Sequence, residues 1–122
     1  MKINITTTIL AIVCLFISCA DNSLDETLLY GKWQGVDWLV EGKPSGLNVA
    51  SIQFDFKEDG TYEANFVNQK EKGSYYLAAD KLYTTDEGKA QKVVRLLMLT
   101  QDSIKMDMNR GGTTELLILK KQ

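Results

Sequence analysis

What most constrains the fold of this chain is a two-residue alternation of apolar and polar side chains that restarts after each turn signal. Ile52, Phe54 and Phe56 alternate with Ser51, Gln53, Asp55 and Lys57; beyond Glu58-Asp59-Gly60, Tyr62, Ala64 and Phe66 alternate with Thr61, Glu63 and Asn65. A period of two marks strands with one buried face. Opposed residues of a hairpin share a face, so the register follows from the pattern. A two-residue Asp59-Gly60 loop would set Phe56 against Glu63 and mix the faces. A three-residue loop, Glu58-Asp59-Gly60, sets Phe56 against Tyr62 and Phe54 against Ala64, with Gly60 left-handed in a bulge. The same test on Tyr75, Leu77, Leu82 and Thr84 selects a two-residue loop at Ala79-Asp80, and it pairs Tyr76 with Tyr83 on the other face.

From Tyr30 onward this alternation recurs and clean helical periodicity does not. The expectation is an all-β domain with eight strands in meander order, at 31–40, 49–57, 61–67, 73–78, 81–85, 91–99, 103–108 and 113–121. One helical turn is expected at 25–29, with Asp25 as its cap and Leu28 and Leu29 tucked under the barrel. In an up-and-down order, successive connections alternate between two ends. The tight turns 58–60, 79–80 and 100–102 fall at one end; the looser segments 41–48, 68–72, 86–90 and 109–112 fall at the other. One end is closed and the other is a mouth, which is the plan of an antiparallel up-and-down barrel. The loop 41–48, which holds Pro44, is the expected lid.

A chain of 122 residues makes one domain. Its 14 basic and 16 acidic side chains leave a net charge of -2, which provides no electrostatic footprint for a phosphate backbone, so no nucleic-acid partner is expected. The chain has no histidine. That removes the commonest general base, metal ligand and triad member together. No base, nucleophile and orienting group assemble from what remains, and the expectation is a non-enzymatic protein without metal or cofactor. Asp55 and Glu63 face each other in the hairpin register, but on the polar outer side, so they read as solvated surface groups and not as an acid/base pair. Gly111-Gly112 reads as a turn, since no helix follows it to cradle a phosphate.

At the N-terminus, Lys2 precedes an apolar run from Ile9 to Ile17, closed by Ser18 and Cys19. Nine residues rise about 14 Å as a helix, half of a bilayer core of about 30 Å, so the run reads as a secretory signal and not as a span. Phe16-Ile17-Ser18-Cys19 resembles a bacterial lipobox. The resemblance implies a signal peptide over 1–18, a diacylglyceryl group and palmitate-type acylation on Cys19, and a lipidated tether over 19–28 that attaches the protein to a membrane. Ala20, where Asp would favour inner-membrane retention, implies an outer-membrane lipoprotein of the cell envelope. Cys14 leaves with the signal, so no disulfide is expected.

Leu29-Tyr30-Gly31-Lys32-Trp33 resembles the Gly-x-Trp signature of lipocalins, and the stretches 54–62 and 73–82 are similar to two hairpins of small bacterial lipocalin-like lipoprotein domains. The resemblance covers about 28–121 and implies a lipocalin-like barrel over 29–122, with Trp33 plugging its closed end. Where the larger family packs an arginine over that tryptophan, this sequence offers Lys120 and Lys121. Phe54, Phe56, Tyr62, Phe66, Tyr75, Met106 and Met108 are the candidate pocket residues; the pattern allows them either to line a cavity or to fill it. The stretches 93–99 and 116–119 are apolar on both faces, which calls for a cover, either a protein partner or the Leu28-Leu29 turn. The functional expectation is a membrane-anchored lipoprotein whose barrel binds a small hydrophobic ligand. Its alternative is a protein-interaction or structural module of the envelope.

Overall fold

Each alternating stretch forms a strand, and each strand pairs with its neighbours in sequence. In the computed structural model, which describes residues 23–66, 68–109 and 111–122, a 3₁₀ turn (Glu26–Leu29) leads into β1 (Gly31–Val40) and β2 (Lys43–Pro44). A second 3₁₀ turn (Val49–Ser51) precedes β3 (Gln53–Phe56), β4 (Thr61–Phe66), β5 (Gln69–Ala78) and β6 (Lys81–Asp86). β7 (Lys92–Leu99), β8 (Ser103–Asp107) and β9 (Glu115–Lys121) complete the chain. β1 and β3 to β9 follow one another in the sheet, and β9 returns to pair antiparallel with β1, closing an eight-stranded barrel. The two-residue β2, which the alternation does not announce, folds back on Leu39 and Val40.

Both hairpin registers are those read from the alternation. Phe56 stands opposite Tyr62 and Phe54 opposite Ala64. Gly60, at a φ of 86°, occupies the left-handed position that closes the three-residue loop, while Asp59 Oδ1 accepts hydrogen bonds from the Thr61 N–H and hydroxyl. Leu77 stands opposite Leu82 and Tyr76 opposite Tyr83, whose rings stack at 4.6 Å on the outer face. Asp25 caps the first 3₁₀ turn through the Thr27 N–H, as expected.

Three expectations are corrected. The segment 68–72 is not a loop: β5 already begins at Gln69, and Ala64 pairs with Glu71. Glu71 points inward where an apolar residue would have marked the strand, so the pattern conceals it. The expected strand start at 49 is a 3₁₀ turn instead, held by Ile52 N–H donating to Val49 O at 2.9 Å and by Ser51 Oγ donating to Asn48 O at 2.6 Å. The Leu28-Leu29 turn does not cover the outer strands. Leu29 is fully buried under the closed end and Leu28 packs on the same core.

The apolar faces of β7, β9 and β1 are explained by bulges and neighbours. The registers of β1 on β9 and of β7 on β8 slip between Gly35 and Asp37 and between Leu96 and Met98, and the intervening Val36 and Leu97 are exposed. Leu116 stands between Leu39 and Asp107, and Ile118 between Asp37 and Lys105; both are half-buried. Gly73 is the point of closest approach in the sheet: a Cβ there would overlap the Thr85 carbonyl oxygen, so β5 and β6 pack as they do only with glycine.

Candidate functional site

The barrel divides into a packed half and an open half. In the packed half, Trp33 is fully buried and its Nε1 donates to Leu29 O at 2.8 Å, so the burial of the indole leaves no orphaned donor. Lys121 lies 4.8 Å from the centre of the indole ring and donates from Nζ to Tyr30 O, which fixes the ammonium over the π face. Lys120 is exposed and points to the other side of β9, because successive residues of a strand alternate faces. Above Trp33, Phe56 meets Tyr75 edge-on at 5.0 Å, and the Tyr75 hydroxyl donates to Lys57 O at 2.6 Å. Burial pushes the Tyr75 phenol well above the usual range, so it stays protonated. Phe56, Tyr62 and Tyr75 thus form a floor.

Beyond that floor lies a cavity of about 520 Å³. Phe54, Phe66, Met106 and Met108 line it, together with Trp38, Leu47, Leu82 and Val94. The seven sequence candidates therefore separate into four wall residues and three floor residues, and the lipid-site candidate Cys19 lies outside the described residues. Phe54 and Phe66 meet edge-on at 5.3 Å, which gives the wall a rigid aromatic side facing the flexible methionines. Leu47 comes from the loop after β2, the segment expected to serve as a lid, and Ser45 N–H ties that loop to Trp38 O at 2.9 Å.

Sequence reasoning missed Trp38 because Trp33 and Trp38 are an odd number of residues apart, and uninterrupted alternation puts them on opposite faces. The bulge at Val36 brings both inside. The alternation also missed the polar part of the wall. Glu71, buried on β5, accepts from the Tyr62 hydroxyl at Oε2 (3.0 Å) and from Lys92 Nζ at Oε1 (2.6 Å). Thr84, on the neighbouring β6, is also buried and lines the same wall. Burial first, then the neighbouring Glu71 carboxylate, pushes the Tyr62 phenol far up, so it acts as a standing donor to Glu71. Asp86, at the end of β6, accepts from Lys72 N–H at 3.0 Å and pairs with Lys89 at 3.2 Å; these partners, in that order, hold its carboxyl below the ordinary value.

A wider concavity of about 630 Å³ crosses β1, β3, β4 and β5, and half of the residues lining it are the outward Lys32, Gln53, Asp55, Glu63, Asn65, Lys70 and Lys72. Glu63 there pairs with Lys57 at 3.5 Å, both side chains being about half exposed. It is a solvated polar surface, whereas the interior cavity combines apolar walls with a few convergent polar groups, the usual composition of a small-molecule site.

The sequence matches the model of the lipocalin-like domain over residues 29–106. In three dimensions the chain is similar to a lipocalin-like protein from Bacteroides uniformis, known from a crystal structure. The TM-score is 0.60 at 16% identity, over 78% of this chain and 99% of that one. No curated protein matches the sequence. The matched segment runs from Leu29, two residues before the Gly31-Lys32-Trp33 corner, through β1 and β3 to β7 to Met106 of β8 in the cavity wall, and on that evidence the chain belongs to the lipocalin-like domain family.

Proposed function

We propose that this protein binds a small, largely apolar molecule in the open half of its barrel and performs no chemistry on it. The observation that carries this reading is the cavity of about 520 Å³, whose aromatic and methionine walls stand above a packed floor. Glu71 is the one carboxylate among the described residues lining it, and both of its oxygens are already engaged. With no histidine in the chain, nothing beside it is suited to relay a proton to a nucleophile.

The proposal extends to attachment. Cys19 carries the acyl groups and tethers the barrel to the outer membrane, on the strength of the short apolar run ending in Ser18-Cys19. Leu24 N–H donates to Ala79 O at the closed end, so the chain enters the barrel from that side and the mouth faces away from the anchor. A protein-interaction role is the second reading. It is favoured by the outer row formed by Tyr76, Tyr83 and Val93, where Tyr76 and Val93 are exposed.

The test is native mass spectrometry of the full protein purified from its own membranes, beside a Val94→Trp variant that fills the cavity. The expected result is a copurified small molecule on the wild type and none on the variant. An unliganded wild type that instead retains a protein partner lost on Tyr76→Ser substitution would overturn the first reading in favour of the second. Labelled palmitate should enter the wild-type chain and not Cys19→Ser; equal labelling of the two removes the anchor.

A further inference from the structure

We infer that the molecule taken by the cup carries a cationic, hydrogen-bond-donating head, such as a protonated amine, which replaces the Lys92 ammonium on Glu71; the inference rests on the binding reading above. The two donors that hold Glu71 differ in how easily they leave. Tyr62 is buried in the floor, where its ring packs against that of Phe56, so it stays. The Lys92 side chain is 53% exposed while that of Glu71 is 5% exposed, so the ammonium leans in from the rim over a carboxylate sunk in the wall.

A flexible lysine at a rim returns to water at little cost. A cationic head arriving at Glu71 therefore displaces Lys92 outward and leaves the charge of the cup unchanged, while its apolar part meets Phe54, Phe66 and Met108. An anionic head has no equivalent place. Lys92 is the one cation among the described residues lining the cavity, and drawing it away leaves the Glu71 carboxylate with Tyr62 alone. An uncompensated buried charge is strongly unfavourable. The cup thus discriminates against fatty-acid-like ligands although its walls accept their tails.

The test uses the chain from residue 21 onward. Among the described residues the buried core runs from Leu29 to Leu119, and the similar Bacteroides uniformis protein is matched over 99% of its own chain. The neutral dye N-phenyl-1-naphthylamine reports cavity occupancy by fluorescence, and dodecylammonium, dodecanol and dodecanoate compete with it at pH 7 below their micelle thresholds. Dodecylammonium should displace the dye at a midpoint about tenfold or more below that of dodecanoate, with dodecanol between them. Glu71→Gln should shrink the amine-to-carboxylate ratio to about twofold or less, and Lys92→Gln, which removes the competing ammonium, should widen it. Dye binding together with equal or better displacement by dodecanoate overturns the head-group inference and leaves the cavity reading standing. No dye binding, and no competitor retained in native mass spectrometry, overturns the cavity reading and this inference with it. Should Glu71→Gln fail to fold, Lys92→Gln decides: a narrowed ratio overturns the inference.

Discussion

The two halves of the barrel are built from the same strands and handle polar groups in opposite ways. In the closed half Trp33 and Tyr75 donate to backbone carbonyls, of Leu29 and Lys57, and the Lys121 ammonium lies over an indole face at the edge. Such an arrangement adds stability, because no ion is fully desolvated. In the open half a carboxylate is sunk into an apolar wall and compensated by a lysine from the rim. The desolvation of Glu71 offsets much of what the pair gains, so a pair of this kind contributes little to folding and is retained for another reason. The difference gives stability to the closed half and, on the binding reading proposed above, recognition to the open half.

The largest effect should come from the closed half. Trp33→Ala should cost about 3–5 kcal/mol in chemical denaturation, as for other buried aromatics. A loss below about 1 kcal/mol would show the two halves to be energetically alike. In the open half, Lys92→Met should cost about 1–3 kcal/mol by leaving Glu71 undercompensated. The double variant Glu71→Leu with Lys92→Met should recover that loss and match or exceed the wild type, because apolar replacement of both partners removes the desolvation penalty. A double variant less stable than Lys92→Met alone would make the ion pair a structural element and break the contrast.

Acid should act on the mouth. Asp86 has its carboxyl held below its ordinary 3.8 by the Lys72 N–H and by Lys89. A depressed carboxyl contributes stability that is present above the unfolded value and is lost as pH falls through the folded one. Protection of the Lys72 amide from hydrogen exchange should therefore fall as pH drops below about 3.8, and Asp86→Asn should flatten that dependence. The smallest effect is expected at the outer face. Tyr76→Ser should cost only about 0.5–1.5 kcal/mol, the stacking contribution of an exposed pair, and a larger loss would mean that this face belongs to the core.

Much of this architecture was legible before any coordinates. Alternation alone placed Phe56 against Tyr62, Leu77 against Leu82 and Tyr76 against Tyr83, and the order of tight and loose connections anticipated a closed end and a mouth. The same pattern put the seven candidate residues on the inner face without deciding which line a cavity and which fill the barrel, because apolar side chains at every second position report only which face is buried. The N-terminal reading of Cys19 also belongs to the sequence, since it lies outside the described residues.

What only the tertiary structure decided has two physical causes. Local alternation keeps its phase until a register slips, and the slips at Val36 and Leu97 arise where β1 meets β9 and β7 meets β8. Only these pairings bring Trp38 inside on β1 together with Trp33, and Leu99 inside on β7 together with Leu96, and the alternation within a single strand carries no trace of them. Lys121 and not Lys120 reaches Trp33 for a related reason: which of two adjacent residues faces in is set by the register of β9 on β1. The second cause is that hydrophobic patterning cannot see a polar residue buried by design. Glu71 faces inward because Tyr62 and Lys92, nine and twenty-one residues away, wait there to receive it, and only the closed barrel brings all three together.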